Sequence, residues 1–153
     1  MSFARLLWLN RHVLRKLIAT SNTWATLPLR IPLGMVFIGH GSQKVFGLWH
    51  GPGLAAFTSG NAPLGLHPSW LWLTAAAFCE LTGGILVLLG LLTRVGAFAI
   101  MCVMTVAILG VHWGSFFAQN RGMEFALSMF GIALTLLIIG GGRASADQLI
   151  GRR

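Results

Sequence analysis

The chain has 153 residues, of which 11 are Lys or Arg and only 3 are Asp or Glu, so 9% of its positions carry a formal charge. Soluble domains carry about 25%. A chain that is also 56% hydrophobic therefore belongs to the membrane class rather than to soluble or disordered proteins. The net charge of +8 comes from basic residues scattered between apolar runs, which disfavours a nucleic-acid partner.

The first predicted element is a basic interfacial segment over residues 1–27. Its apolar residues recur at helical spacing, and its basic residues fall mostly on the opposite face. This pattern is typical of an amphipathic helix that lies on the inner membrane surface. The alternative is a solvated basic tail that only enforces topology.

Four apolar stretches follow, each close to the ~20 residues that cross a ~30 Å hydrocarbon core. They cover residues 28–48, 70–92, 95–113 and 124–142. We predict an all-α membrane protein in which these stretches form a four-transmembrane-helix bundle within a domain over 28–149, followed by a basic tail at 150–153.

The stretch between the first two helices is rich in Gly and Pro and contains no formal charge from Gly47 to Ser69. Pro52 is suited to the start of a short helix that ends near Gly60. We therefore predict that this outer loop forms an interfacial or partly re-entrant lid over the outer face of the bundle.

Basic residues and tryptophans agree on one orientation. With both termini in the cytoplasm, only Lys44 and Arg121 of the basic residues lie outside, as the positive-inside rule requires. The outer helix ends then carry an aromatic belt of Trp49, Trp70, Trp72 and Trp113. We predict an integral protein of the inner (cytoplasmic) membrane.

The ionisable residues of the predicted helices gather in the outer half of the bundle, whereas the inner half has almost none. At ~1.5 Å per residue, His40 and Glu80 lie about 18 Å from the inner helix ends, and Lys44, His112 and Glu124 lie about 24 to 27 Å from them. Charges exposed to lipid are costly, so we expect Glu80 to pair with His40 or Lys44, and Glu124 with His112.

These pairs have two interpretations. A buried carboxylate with a basic partner can serve only to fix helix register. Alternatively, the groups form a polar pocket for a quinone head group, in which Glu80 and His40 are catalytic and handle protons. Lys44 would then stabilise a reduced oxygen, and His112 with Glu124 would line the outer entrance.

Small residues and one arginine are predicted to be structural. Gly41, Gly83 and Gly84 allow close helix approach. Arg94 lies in the minimal hairpin between the second and third helices, on the inner face.

No metal site is predicted. Haem ligation by His40 and His112 is disfavoured because their levels differ by roughly 8 Å. Cys79 and Cys102 are predicted to be small packing residues, because their levels differ by roughly 9 Å, too far for a disulfide.

The chain contains two longer motifs, which are R-I-P-L-G-M-V-F-I-G-H-G-S-Q-K-V-F-G at 30–47 and C-E-L-T-G-G-I-L-V-L-L-G-L-L-T-R at 79–94. They are followed by His112, by Met123 with Glu124, and by a final G-G-G-R-A-S-A-D. In this order they resemble the DoxX family over residues 29–149. The resemblance extends to the following residues: Arg30, Gly34, His40, Gly41, Lys44, Glu80, Gly83, Gly84, Gly90, Arg94, His112, Glu124 and Asp147.

The resemblance implies a small four-helix membrane protein often associated with redox systems, including a membrane subunit of thiosulfate:quinone oxidoreductase. Our leading hypothesis is a quinone-linked subunit of an oxidoreductase assembly, with membrane lipid and other subunits as partners. The alternatives are a non-catalytic scaffold or accessory subunit of a larger membrane complex, and a small-molecule or proton carrier. Whether the chain is itself an enzyme and whether it forms a homo-oligomer stay open.

Overall fold

The computed structural model describes residues 15–151, in which every regular element is helical and no strand occurs. The predicted interfacial segment therefore lies mostly outside the described residues, as do the last two residues of the basic tail. Residues 15–17 are helical. The longer helices are α1 (Leu27–Phe46), α3 (Ser69–Leu89), α4 (Thr93–Val106) and α5 (Glu124–Ile139), and the short ones are α2 (Gly53–Thr58) and α6 (Ala146–Gly151).

Glycines end three of the longer helices. Gly47 and Gly90 adopt left-handed conformations, with φ of 72° and 67°, directly after α1 and α3, a conformation that glycine adopts without steric cost. Gly140, with φ of 84°, follows α5. The predicted helices over 70–92 and 124–142 therefore each end three residues early.

A π-helical turn (Ala107–Val111) extends α4 at its carboxyl end. Its closing bond runs from the backbone N–H of His112 to the carbonyl of Ala107, at 2.9 Å. The turn brings Gly110 into contact with the loop between α2 and α3. A Cβ built on Gly110 would lie only 2.7 Å from the Cβ of Pro63. π turns of this kind are frequent at functional sites.

The longer helices pack as a series, with α1 against α3, α3 against α4, and α4 against α5. Their shared core contains fully buried Leu33, Phe37, Val87, Ile100 and Leu136. Outside this core, many large apolar side chains are exposed on every longer helix. Such a surface is typical of helices that contact lipid rather than water.

Two helices in residues 15–151 are long and apolar enough to cross a membrane by length and composition, namely Ser69–Leu89 and α4 with its π turn, Thr93–Val111. The helix Glu124–Ile139 is also apolar but shorter. The short helix predicted after Pro52 is present as α2.

Candidate functional site

An ion pair joins the carboxyl-terminal part of α1 to the middle of α3. Lys44 Nζ lies 2.5 Å from Oε1 and 2.6 Å from Oε2 of Glu80. Glu80 is 3% exposed, whereas the Lys44 side chain retains 24% exposure. Of the two partners predicted for Glu80, the structure brings Lys44 to it. Both carboxylate oxygens are thereby satisfied by one cation that still reaches the surface.

His40 is exposed on α1 and is not brought to Glu80. The reason lies in helix geometry, since each residue turns the helix by about 100°. Gly41 marks the face that meets α3, because a Cβ there would lie 2.5 Å from the backbone nitrogen of Leu81. Lys44 lies about 60° from this face and His40 about 100° from it, so only the long lysine side chain reaches α3.

The short helix α2 lies beside the ion pair. Lys44 Nζ lies 5.2 Å from the centroid of the Phe57 ring, which is within the range of a cation–π interaction. The ring therefore adds a favourable contact to the ammonium besides the one with the carboxylate. The predicted lid is in this way tied to the charged pair beneath it.

A cavity of about 450 Å³ opens next to the ion pair, between the amino-terminal half of α3 and the carboxyl-terminal half of α4. Lys44 and Glu80 form its polar wall, and Phe57 belongs to the lid side. The rest of the lining is mostly apolar: Pro63, Leu66, Trp72, Leu73, Ala75, Ala76, Val103, Val106, Ala107 and Val111, with Asn61 and the two cysteines as the other members.

The cavity exists because the close contact between α3 and α4 lies further from the lid. A Cβ on Gly83 would lie 3.1 Å from the carbonyl oxygen of Gly96, and a Cβ on Gly96 would lie 2.9 Å from that of Gly83. On the lid side of this contact, the facing positions hold small side chains such as Ala76 and Ala107. Small side chains on both helices leave the space that the lid covers.

Cys79 and Cys102 both line this cavity, which the sequence analysis did not anticipate. Cys79 precedes the end of α3 at Leu89 by ten residues, and Cys102 follows the start of α4 at Thr93 by nine. Their levels therefore differ by about 1.5 Å of helix rise. The difference of roughly 9 Å calculated from the sequence was wrong because it used helix ends at 92 and 95.

His112 and Glu124 hold the loop between α4 and α5, and neither lines the cavity. The ring Nδ1 of His112 lies 2.7 Å from the carbonyl oxygen of Arg121. Oε1 of Glu124 accepts a hydrogen bond from the backbone N–H of Ala118, at 2.7 Å. The expected pair between His112 and Glu124 is thus replaced by separate contacts to the loop backbone.

The residues predicted to be structural lie at helix contacts. Gly41 meets α3, as described above, and a Cβ on Gly84 would lie 2.7 Å from the backbone nitrogen of Ile38 in α1. Arg94 donates from Nε to the carbonyl of Ala19 at 3.1 Å and from Nη2 to that of Ile138 at 3.0 Å. It thereby joins the start of α4 to the segment before α1 and to the end of α5.

A second polar cluster lies at the end of the bundle away from the lid, contrary to the expectation that this half has almost no polar groups. Arg30 is 2% exposed and donates hydrogen bonds to four carbonyls, those of Val87, Leu88, Gly141 and Ala144, at 2.7 to 3.0 Å. Its guanidinium therefore caps the last turn of α3, where a cation also complements the helix dipole.

Asp147 performs the complementary task for α4. Its carboxylate accepts hydrogen bonds from the backbone N–H groups of Leu92 and Thr93, at 2.7 and 2.9 Å, and from the Thr93 hydroxyl at 2.7 Å. Asp147 is 1% exposed. The hairpin between α3 and α4 is thus held by the Arg30 guanidinium at the end of α3 and by the Asp147 carboxylate at the start of α4.

The DoxX family pattern matches residues 25–113, which is more than half of the chain. The chain belongs to the DoxX family. The matched range contains α1, the lid, α3 and α4, and therefore every residue of the ion pair and the cavity wall. Glu124 and Asp147 lie beyond it. Comparison with curated proteins and with solved structures found no match.

Membership of DoxX, together with the apolar helices, identifies a membrane protein in contact with lipid. The family is often associated with oxidoreductase-related functions. Both statements agree with the expectations from the sequence.

Proposed function

We propose that this DoxX protein is a quinone-linked membrane subunit of an oxidoreductase assembly, and that the cavity between α3 and α4 receives the quinone head group. The observation that carries the proposal is the Lys44–Glu80 ion pair in the wall of a cavity whose lining is otherwise mostly apolar. Convergent polar groups in one apolar pocket are the usual mark of a small-molecule site.

The residues present fit a quinone. The cavity volume of about 450 Å³ falls within the range of about 300–1,000 Å³ for small-molecule pockets. The apolar ring of a quinone suits the alkyl and aromatic lining of the cavity, and the quinone oxygens need a hydrogen-bond donor. Lys44 has three N–H donors, two of which serve Glu80, so the third supports binding of a ligand oxygen.

A bound quinone supplies two-electron, two-proton chemistry. Lys44 donates a hydrogen bond to the oxygen that gains electron density and passes it a proton. Because the Lys44 side chain is 24% exposed, it can recover that proton from the outer surface. Glu80 holds the ammonium at the cavity wall and handles protons together with Lys44. From the sequence, we had predicted that role for Glu80 and His40. His40, exposed on α1, has no contact with this cavity.

The test is binding of a short-chain benzoquinone to the purified protein. Lys44→Met removes the donor, and we expect at least a tenfold loss of affinity, since a hydrogen bond from a charged group contributes about 1.5–3 kcal/mol. Because this variant leaves Glu80 buried without its partner, the double variant Lys44→Met with Glu80→Leu is measured beside it. An apolar replacement of both members of a buried pair is often neutral for stability.

Lys16→Met is the matched control, because it removes a lysine that is exposed at the inner end and far along the chain from the cavity. Its affinity should equal that of the unmodified protein. Equal binding by the folded double variant, or no binding by the unmodified protein, would contradict the proposal.

We also propose that α1 and α5 cross the inner membrane together with α3 and α4, with residues 15 and 151 on the cytoplasmic side. Support comes from length, because the 20 residues of α1 span about 30 Å. Further support is the exposure of Trp49, Trp70 and Trp113, at 63%, 59% and 69%. All three lie next to helix ends opposite the Arg30 cluster, where interfacial tryptophans belong.

An accessory role in a larger membrane complex is the second candidate. Gly39 in α1 and Gly131 in α5 face open space, since a Cβ on either would meet no atom within 4 Å. Small residues on an outer helix face allow another transmembrane helix to approach closely. This candidate predicts that complex activity persists when Glu80 is changed to Gln, and that assembly fails when Gly39 is changed to Leu.

A further inference from the structure

We propose that Cys79 and Cys102 form a dithiol–disulfide couple that delivers two electrons to the quinone in the cavity. The inference rests on the proposed function and names the electron donor that the function requires. It makes this chain a dithiol:quinone oxidoreductase. Cys79 and Cys102 are the two cysteines of the chain, and both are free thiols in the structure.

One turn away from the cysteines, α3 and α4 are in close contact. Gly83 follows Cys79 by four residues and Ala99 precedes Cys102 by three, so each lies on the same helix face as its cysteine. A Cβ built on Gly83 would lie 3.6 Å from the Cβ of Ala99. Disulfides need Cβ atoms about 3.5–4.5 Å apart. The two helices therefore have disulfide spacing directly beneath the cysteines.

The two sulfurs also differ in access. Cys79 is partly buried and adjoins Glu80, whereas Cys102 is exposed on α4. Both share the cavity with Lys44. Cys79 is thus placed beside the proton-handling pair, and Cys102 is the sulfur open to a small dithiol that dissolves in the membrane. This division matches the two halves of a thiol–disulfide cycle.

The oxidation balances within the cavity. Two S–H bonds break and one S–S bond forms between Cys79 and Cys102, which releases two electrons and two protons. The quinone accepts both electrons, and both protons end on its oxygens, giving the quinol. A small membrane-soluble dithiol then restores the couple by thiol–disulfide exchange at Cys102, and that dithiol leaves as its own disulfide.

The experiment uses the full chain, reduced and freed of reductant, in detergent or nanodiscs. A short-chain benzoquinone is added without oxygen, the protein is denatured in acid, and free thiols are counted with a maleimide mass tag. We expect both thiols to disappear together, with a mass loss of 2 Da, the mobility of a monomer, and one quinol formed per chain. Cys79→Ser and Cys102→Ser should each keep one free thiol and form no quinol.

Two further measurements distinguish failure of the dithiol inference from failure of the proposed function. If the quinone binds and both thiols remain free, the dithiol inference is overturned and the proposed function stands. If no quinone binds, both fail. The thiol oxidant diamide tests the geometry alone, and failure of diamide to join Cys79 to Cys102 within one chain also overturns the inference. With added dithiothreitol, the unmodified protein should form quinol continuously, and the two serine variants should not exceed the protein-free rate.

Discussion

Arg30 is a charged side chain that is almost completely enclosed, and its hydrogen bonds join α1 to α3 and to the segment before α6. Replacement by Met keeps much of the volume but leaves up to four carbonyls without their donor. Each buried unsatisfied group costs about 1–3 kcal/mol. We expect Arg30→Met to lower the stability of the detergent-solubilised protein by at least about 3 kcal/mol, measured as loss of the monodisperse state on heating or in denaturant.

Arg143→Met is the control for this experiment, since Arg143 is exposed and lies 5.8 Å from the Trp24 ring. That change should cost less than about 1 kcal/mol. Arg30→Lys should be intermediate, because an ammonium has three donors in place of the guanidinium fork. Equal stability of the Arg30→Met and Arg143→Met variants would mean that the inner cluster does not hold the helices together.

The function of Arg30 in the fold was beyond sequence reasoning, which treated it as one of several basic residues that set topology. A sequence fixes the depth of a residue in its own helix but not which backbone carbonyls it meets. Those carbonyls belong to positions 87 and 88 and to 141 and 144, far along the chain. The available signal was an arginine two residues after Pro28, within an otherwise apolar helix.

At the level of helices, the contact between α1 and α3 depends on glycine. A Cβ at Gly41 would lie 2.5 to 2.7 Å from the backbone and Cβ of Leu81, so Gly41→Ala must push the helices apart. Overpacking of this kind typically costs about 1–3 kcal/mol. We expect Gly41→Ala to destabilise the protein and to weaken quinone binding, because the same displacement separates Lys44 from Glu80.

Gly39→Ala provides the comparison on the same helix. Its Cβ would meet open space, and alanine is the better helix former by roughly 0.5–1 kcal/mol. This variant should therefore match or exceed the stability of the unmodified protein. If both alanine variants behave alike in thermal unfolding, the close approach at Gly41 is not what fixes the helix spacing.

Helix positions were more accessible to sequence reasoning than helix partners. Apolar run length locates α1, α3, α4 and α5 to within a few residues, because hydrophobicity and glycine ends are local properties. The pairing of Glu80 with Lys44 rather than His40 depends on the rotation of α1 about its axis, which Gly41 determines. The small helix α6 was missed, since its role appears only when Asp147 caps α4.

At the scale of the whole molecule, the proposed topology assigns the two ends of the bundle to opposite sides of the membrane. In a variant with both native cysteines changed to serine, single cysteines at positions 121 and 143 report the two sides. We expect an impermeant maleimide on intact cells to label Arg121→Cys alone. Arg143→Cys should react only after the inner membrane is opened.

Labelling of both positions from the same side of intact membranes would remove one crossing and overturn the four-span proposal. Labelling of position 143 alone from outside would reverse the orientation. A quinone site proposed near the outer leaflet would then lie toward the cytoplasm, and the direction in which the protein takes up protons would reverse with it.

All three carboxylates of the chain are engaged internally. Glu80 binds Lys44, Glu124 binds the backbone N–H of Ala118, and Asp147 binds the start of α4. With 11 basic and 3 acidic side chains, the molecule carries a net charge of +8. Anionic phospholipids should therefore bind around the protein as counterions. The amount of bound anionic lipid should fall as the salt concentration rises, since such attraction decays within a Debye length.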